Sequence, residues 1–279
     1  MKQKKTFRTF ESLGEIVAAL AQQLRPPERL TVSEAAAKYR YVNNTGSYVG
    51  PWLNEMAPYL TEVMDVMSDP AYYGLIFPAP AQSGKTDALC INPIVHSVMV
   101  DGLDLMIYSP AQTDARDFST RRVSRLNRHT KPVGDRLLKS GNADNKFDKT
   151  YSNGVLLTLG WPSASQMAGR PIPRVVLTDY DRMPDDIEGE GEPYDLASKR
   201  TTTFGSFAMA AAESSPSREV KNVKWVRTSP HAAPPTTGIL ALYNRGDRRQ
   251  WYWPCPHCGD YFIGNFRYCL LYTSPSPRD

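Results

Sequence analysis

The chain alternates between short apolar runs and amphipathic segments over most of its length. Five apolar runs have the length and composition of buried strands: 72–77, 103–109, 154–161, 173–179 and 207–215. Apolar residues at helical spacing predict helices between and around them: 57–69, 86–100 (despite Pro93), 113–129 and 194–204. Because strands that alternate with helices form parallel sheets with crossover connections, the pattern predicts an α/β domain with a mainly parallel central sheet flanked by helices.

The N-terminal segment predicts helices of its own. Apolar residues recur at helical spacing over 9–24, and Ser33 is suited to cap a second short helix. The residues at 41–52 read as a loop. We therefore expect an N-terminal helical region over 1–50.

The remaining boundaries follow from changes in composition. Residues 51–248 form the predicted α/β domain, and a Pro-, Ser- and Lys-rich stretch at 218–235 reads as an exposed insertion. Residues 249–268 read as a linker that begins a further module. Residues 269–279 continue none of these patterns and resemble a translated sequencing-adapter read-through, so we expect this tail to be non-native and the natural chain to be cut near Tyr268.

The composition is that of a folded, soluble protein. Of the 279 residues, 41% are hydrophobic and 22% are charged, which excludes a disordered chain. No apolar run reaches the roughly 18 residues of a membrane span, and no secretory signal opens the chain. The 4 cysteines suggest no disulfide framework. We expect a reducing, cytoplasmic setting and no membrane partner.

Positive charge is concentrated in one predicted helix and the residues that follow it. The net charge of +4 permits a polyanionic partner without requiring one. Between residues 116 and 139 only Asp117 and Asp135 are acidic. The basic residues there are Arg116, Arg121, Arg122, Arg125, Arg128, Lys131, Arg136 and Lys139. The cluster is typical of a phosphate-binding surface and equally of an ordinary solvated helix face.

Residues 79–86, here called the phosphate loop, follow a predicted strand and open a predicted helix. They match the Walker A pattern except that Ala79 stands where the first glycine is expected. Consecutive backbone N–H groups at a helix N-terminus bind phosphate, so we expect ATP here, with Lys85 on the β- and γ-phosphates and Thr86 on Mg²⁺. The predicted nucleotide-binding residues are Ala79, Pro80, Ala81, Gln82, Ser83, Gly84, Lys85 and Thr86. The alternative is a chance Gly-Lys-Thr turn.

A Walker A loop requires a carboxylate at the end of a neighbouring strand. Asp179 ends the run at 173–179, and we expect it to bind the Mg²⁺ hydration shell. Tyr180 occupies the position where a glutamate often polarises the attacking water, and a tyrosine cannot act as a base at neutral pH. Asp181 and Glu213 are the candidates for that catalytic base, although Asp181 is also typical of a surface carboxylate in a turn.

Two further motifs lie beyond this strand. Ser214 and Ser215 place hydroxyls at the same edge of the sheet, where they could couple hydrolysis to movement or form an ordinary turn. Cys255 and Cys258 form a Cys-x-x-Cys turn, which is half of a tetrahedral Zn²⁺ site. Cys269 lies in the suspected non-native tail, so we expect only the start of a zinc ribbon within 249–268.

Segments such as "PAPAQSGKT", "RVVLTDYDRMPDDIEGEGEP" and "LYNRGDRRQWYWPCPHCGDYF" occur in an order that resembles the large subunit of phage terminase, GpA type. The resemblance covers about residues 30–265. It implies a P-loop ATPase of the RecA-like (ASCE) class that drives viral double-stranded DNA into the procapsid. It further implies a C-terminal metal-dependent endonuclease outside this chain, a small-subunit partner, a portal partner, homo-oligomerisation during packaging and a location in the host cytoplasm.

The resemblance also assigns roles to residues. It implies that Pro58 and Tyr59 help to frame the adenine, and that Lys85, Thr86 and Asp179 serve the nucleotide and its metal. Ser214 and Ser215 match the family's coupling motif. The candidates for the arginine that stabilises the transition state are Arg170, Arg121 and Arg122. Tyr180 departs from the acidic residue of many relatives, which leaves the catalytic carboxylate open.

Two alternative functions compete with a packaging motor. A RecA-like helicase would carry further helicase signatures and a second sheet domain, for which 279 residues leave little room. A DNA-binding fragment without catalytic activity would follow from Tyr180 and from the truncated chain.

Overall fold

The computed structural model describes residues 12–14, 16–17, 28–44, 46–139, 141, 143–222 and 224–263. Most of the helix predicted over 9–24 lies outside these residues, as do Cys269 and the tail at 269–279. Within the described part of the chain, no helix is long and apolar enough to cross a membrane.

The described secondary structure consists of helices and strands in alternation. Two helices are composite: α3 (85–101) joins Asp87–Ile91, Asn92–His96 and Ser97–Asp101, and α4 (112–129) joins Gln112–Phe118, Ser119–Val123 and Ser124–His129. The other helices are α1 (Val32–Tyr39), α2 (Thr61–Val66), α5 (Lys131–Gly134), α6 (Ala164–Met167), α7 (Pro193–Lys199) and α8 (Ile239–Arg245). The strands are β1 (Tyr41–Asn44), β2 (Tyr48–Pro51), β3 (Gly74–Pro78), β4 (Leu105–Tyr108), β5 (Asp148–Thr150), β6 (Leu156–Gly160), β7 (Arg174–Thr178), β8 (Met209–Ser214), β9 (Trp253–Pro254) and β10 (Tyr261–Phe262). Short 3₁₀ helices cover Asn54–Met56, Pro58–Leu60, Tyr180–Arg182 and Thr202–Phe207.

Six strands form one central sheet in the order β3-β8-β7-β4-β6-β5. All neighbouring pairs are parallel except β5 and β6, which are antiparallel. The predicted α/β class with a mainly parallel sheet is therefore confirmed, and all five predicted strands are present. The prediction that Asp179 follows a strand next to the phosphate-loop strand is wrong, because β8 lies between β3 and β7.

The side chains of the sheet alternate between two hydrophobic cores. Leu105 and Ile107 of β4 pack in the core that contains α2, α3 and α4, whereas Met106 and Tyr108 pack in the opposite core with α8. Because successive strand residues point to opposite faces, a continuous apolar run is what a strand covered on both faces requires. The strands could therefore be predicted from the sequence.

Helix α3 passes through Pro93 without ending. The π-helical turn Asp87–Ile91 precedes the proline, and the N–H of Asn92 donates to the carbonyl of Asp87. A wide turn of this kind accommodates a proline ring that would otherwise meet the carbonyl four residues earlier. The predicted helix is confirmed, and it is buried along most of its length.

Two local predictions were wrong. The residues read as a loop at 41–52 include an antiparallel hairpin, in which Tyr41 pairs with Pro51 and Asn44 pairs with Tyr48. The helix predicted over 57–69 is instead a 3₁₀ turn, Pro58–Leu60, followed by the shorter α2. Each strand of the hairpin buries one of its four residues, and the strands contain Asn, Gly and Pro, so the apolar pattern is weak.

A buried ionic cluster fixes the end of α3 that is remote from the phosphate loop. The Asp101 carboxylate lies 2.6 Å from Nη1 of Arg174 on β7 and 3.1 Å from Nδ1 of His96. Burial raises the pKa of Asp101, but the hydrogen bond with His96 and the charge of Arg174 outweigh it, and the resulting pKa is below the usual value. The ionised carboxylate therefore stabilises this end of the fold.

Candidate active site

The phosphate loop connects β3 to α3 at the carboxyl edge of the sheet. Two of its residues have left-handed backbone conformations, Gln82 (φ 63°) and Gly84 (φ 79°). Ala79, which stands where a glycine was expected, is buried and does not have a positive φ, so its side chain is tolerated. Its N–H donates to the carbonyl of Ser214 at 3.1 Å, which fastens the loop to the end of β8.

The outer side of the loop is supported by Tyr59. Its hydroxyl donates to the carbonyl of Ser83 at 2.8 Å, and the Ser83 hydroxyl donates to the carbonyl of Pro80 at 2.8 Å. The Tyr59 ring also meets the Trp251 ring edge-on, with 6.3 Å between their centres. Pro58, next to it, is exposed. Of the two residues expected to frame the adenine, Tyr59 is the one in direct contact with the loop.

A polar cluster lies beneath the loop, at the centre of the sheet edge. The Glu213 side chain is completely buried, and its Oε1 accepts a hydrogen bond from Thr86 Oγ1 at 3.1 Å and another from the hydroxyl of Thr178. Its Oε2 lies 3.8 Å from Nζ of Lys85. Burial raises the pKa of Glu213, and the Thr178 hydrogen bond and the Lys85 charge oppose this rise. The loop's lysine and threonine therefore share one carboxylate, which β8 supplies.

Asp179 and Asp181 have different surroundings although they are two residues apart. Asp179 has a left-handed conformation (φ 52°), its side chain is 44% exposed, and it lies 3.6 Å from Nη1 of Arg182. Asp181 is 6% exposed, and its carboxylate accepts from the backbone N–H groups of Ile239 at 2.6 Å and Ser217 at 2.7 Å. Asp179 is thus open to a ligand, whereas both oxygens of Asp181 bind the backbone.

Tyr180, between them, is buried in the core that contains α8. Burial is the main cause of a large rise in the pKa of its hydroxyl, and the charge of Glu192 adds to it. The neutral phenol therefore serves packing and supplies no base.

The two serines at the end of β8 connect this strand to the residues that follow β7. Ser214 Oγ accepts from the N–H of Asp181 at 3.0 Å and donates to the carbonyl of Ser215 at 3.3 Å. Ser215 also lines a cavity of about 560 Å³ together with Ala79, Pro80 and Ala81 of the phosphate loop. The arginine in the lining of this cavity is Arg227, from the segment read as an insertion.

The three arginines suggested by resemblance lie apart from one another. Arg122 contacts the start of α3, with its Nη1 3.7 Å from Oδ2 of Asp87. Arg121 is mostly exposed and pairs with Asp117. Arg170 donates to Oγ1 of Thr158 at 3.2 Å, on a strand separated from β3 by three others. Of the three, Arg122 is the one that contacts Asp87, the residue directly after Thr86.

The cysteine turn is part of a small hairpin of β9 and β10. The N–H of Cys255 donates to the carbonyl of Asp260 at 2.8 Å, and the N–H of Gly259 donates to the carbonyl of Cys255 at 2.9 Å. Hydrogen bonds from the backbone N–H groups of Cys258 and His257 lower the pKa of the Cys255 thiol. Among the residues that the structure describes, no group of three His, Cys, Asp or Glu side chains is placed to hold a metal ion.

Sequence reasoning missed Thr178 as a site residue. Its hydroxyl is buried and donates to Glu213, and the two residues pair across β7 and β8. The available signal was a single hydroxyl at the end of an otherwise apolar strand. Such a residue can be recognised only when the partner strand is known, because a threonine is also common in ordinary strands.

A mostly parallel α/β sheet, with a lysine- and threonine-bearing loop at a strand end, is the architecture of the RecA-like ATPases. The family described as "Phage terminase large subunit gpA, ATPase domain" matches residues 46–276. The chain therefore belongs to the family of phage terminase large subunit ATPase domains.

Three solved structures are similar to the chain, and the first agrees with this assignment at the level of the fold. The large terminase of bacteriophage HK97 aligns with a TM-score of 0.50 at 11% identity, covering 66% of this chain and 38% of that protein. The ATPase domain of the Thermus phage P74-26 large terminase aligns with a TM-score of 0.38 at 15% identity, covering 62% of this chain and 70% of that one. The UvsW helicase of bacteriophage T4 aligns with a TM-score of 0.41 at 10% identity, covering 72% and 69%. No curated protein gave a significant match.

Proposed function

We propose that this chain is the ATP-hydrolysing motor of a phage terminase large subunit, which moves viral double-stranded DNA into a procapsid. Membership of the terminase ATPase family supports the proposal. The observation that carries it is the cluster in which Lys85 and Thr86 of the phosphate loop meet the buried Glu213. A carboxylate between a loop lysine and a loop hydroxyl is suited to a phosphate with its divalent cation and has no evident value for packing.

The loop residues would hold the triphosphate. Backbone N–H groups of residues 81–84 would surround the phosphates, and the Lys85 ammonium would neutralise the β- and γ-phosphates. The Thr86 hydroxyl is a hard oxygen donor of the kind that Mg²⁺ prefers, and Glu213 Oε2 has no hydrogen-bond partner among the described residues. These two groups fit a magnesium ion, which would supply positive charge at the phosphates when bound.

Three carboxylates at the strand ends would divide the remaining work. Asp179 and Glu213 are the two available to the hydration shell of the metal and to the attacking water. Asp181 stays a candidate base by sequence, but its two backbone N–H partners support a different role, in which it anchors the residues after β8. The side chains at 214 and 215 would couple hydrolysis to movement, since Ser214 contacts both Ala79 and Asp181.

Helix α4 is the proposed DNA-contacting surface. Its arginines at 116, 121, 122, 125 and 128 are all exposed. Such a surface would bind phosphates without reading sequence, as a motor requires. The described residues between 218 and 235 contain no helix or strand, and most are exposed, so this stretch is the second candidate for the DNA grip.

The longer protein would contribute the rest of the packaging reaction. The chain spans 38% of the HK97 large terminase. The whole protein would add an endonuclease part and would complete the Zn²⁺ site at Cys255 and Cys258. It would also contact the small subunit and the portal. Assembly into a homo-oligomer and a location in the host cytoplasm are also proposed for the whole protein. Arg121, Arg122 and Arg170 remain the candidates for an arginine that acts on the nucleotide, either in the same subunit or across that assembly.

The test compares DNA-stimulated ATP hydrolysis of wild type, Lys85→Ala and a matched control. We expect Lys85→Ala to lower turnover by about 10²–10³-fold, as for the loss of one charge-stabilising donor. Lys38→Ala is the control, because Lys38 lies outside the basic cluster at 116–139, is 47% exposed and pairs with the exposed Glu28. Equal rates for all three proteins would refute the motor and favour a DNA-binding fragment without catalysis.

A further inference from the structure

The Glu213 carboxylate lies 3.1 Å from the hydroxyl of Thr86, the loop residue proposed to bind Mg²⁺. It is the fifth residue of β8, and it pairs with Phe77 of the loop strand on one side and with Thr178 of β7 on the other. Its Oε1 accepts from Thr86 and Thr178, so the carboxylate is held by both neighbouring strands. The site thus contains a carboxylate whose orientation is set before any ligand binds.

The second oxygen of this carboxylate lacks a partner. Glu213 Oε2 is buried and has no hydrogen-bond donor among the residues that the structure describes, and its nearest cation is Lys85 at 3.8 Å. A buried, unpaired carboxylate oxygen is unfavourable in a folded protein unless a ligand, a cation or a bound water completes it. The oxygen therefore marks a place for a donor that the protein itself does not supply.

Asp179 is placed differently. Its strand, β7, is two strand spacings from β3, or about 10 Å across the sheet, because β8 lies between them. Its side chain is 44% exposed and its ionic partner is Arg182 at 3.6 Å, whereas the hydroxyl of Thr86 donates to Glu213. Asp179 can accept a proton from a water at the open edge of the site, but it does not orient Thr86.

We propose that Glu213, not Asp179, is the positioning carboxylate for the magnesium-bound nucleotide, and that Asp179 serves the attacking water. This inference rests on the proposed ATPase function and reverses the roles expected from the strand motifs. Glu213 acts through Thr86: it holds the hydroxyl in place with Oε1 and offers Oε2 to the hydration shell of the ion. The chain thereby uses β8, the strand inserted between the two motif strands, to supply the acidic group.

The test measures how strongly Mg²⁺ promotes nucleotide binding, which is separate from turnover. A fluorescent ADP analogue is titrated into the full chain with Mg²⁺ and again with EDTA, and the ratio of the two affinities is compared among variants. We expect Glu213→Gln to lower this ratio by about 10–100-fold, the range for loss of a residue that orients a metal ligand. Asp179→Asn should leave the ratio unchanged and abolish turnover.

Two further variants keep the result interpretable. Glu192→Gln makes the same chemical change at an exposed carboxylate that pairs with Arg245, and it should alter neither quantity. Thr178→Val removes only the hydroxyl that supports Glu213, so it should lower the affinity ratio by a smaller factor than Glu213→Gln does. It replaces Glu213→Gln as the test variant if that protein does not fold.

The possible outcomes separate this inference from the proposed function. An unchanged ratio in Glu213→Gln, or a lowered ratio in Asp179→Asn, would overturn the division of roles while leaving the ATPase in place. Failure of the wild type to bind the analogue under either condition would refute the ATPase function itself, and the inference with it.

Discussion

Replacement of Asp181 gives a prediction that separates structural support from catalysis. The buried carboxylate accepts two backbone N–H groups, from Ser217 at 2.7 Å and from Ile239 at 2.6 Å, and so joins the exit of β7 to the segment after β8 and to the start of α8. Both are hydrogen bonds to a charged group, each worth about 1.5–3 kcal/mol. Asp181→Ala should therefore lower the free energy of unfolding by about 3–6 kcal/mol.

This loss is large compared with the total stability of a domain, about 5–15 kcal/mol. For a domain of this size it corresponds to a fall in Tm of roughly 6–24 °C. Asp181→Asn keeps one carbonyl acceptor and turns an amide N–H toward the other donor, so it should lose about half as much. Urea denaturation followed by circular dichroism measures both changes directly.

The control for this experiment is Asp185→Ala. Asp185 is an exposed carboxylate that pairs with Arg218 at 3.1 Å, and such a pair contributes at most about 1 kcal/mol. The reasoning would be wrong if Asp181→Ala folded with wild-type stability but lost ATP turnover, because the carboxylate would then be the catalytic base and not an anchor.

The remaining predictions concern the loop and the far end of α3. Gly84→Ala places a side chain at φ 79°, which costs about 1–2 kcal/mol, and it should weaken nucleotide binding. Gly102→Ala (φ 72°) is the control, because it has a similar backbone cost away from the loop. Calorimetric titration with ADP should show reduced affinity for Gly84→Ala and normal affinity for Gly102→Ala. Asp101 has a pKa below its ordinary value of 3.8 because its interactions with His96 and Arg174 outweigh burial, so its stabilising effect is present above that value and is lost as pH falls through the lower folded pKa. The stability difference between wild type and Asp101→Asn in urea should accordingly be constant near neutral pH and should narrow below about pH 4; a difference that widens there would contradict the assignment.

Part of the candidate site could be predicted from sequence motifs. The phosphate loop was recognisable because its chemistry lies in consecutive residues: the loop sequence, the strand before it and the helix after it all occur between residues 72 and 101. Glu213 was also identifiable as a lone carboxylate at the end of an apolar run. Its partners were not, since Thr86 and Thr178 lie 127 and 35 residues away from it in the chain.

The sequence by itself determined the α/β class, the five parallel strands and the position of the phosphate loop, because these depend on local hydrophobic periodicity and on contiguous residues. Only the tertiary structure decided that β8 separates β3 from β7, because the order of strands in a sheet depends on how the crossovers pack and not on the order of the chain. That order places Glu213 between Lys85 and Thr178. The packing also places Asp181 where its carboxylate accepts backbone hydrogen bonds, and it leaves Asp179 at the open edge of the site. The roles of the carboxylates therefore follow from packing.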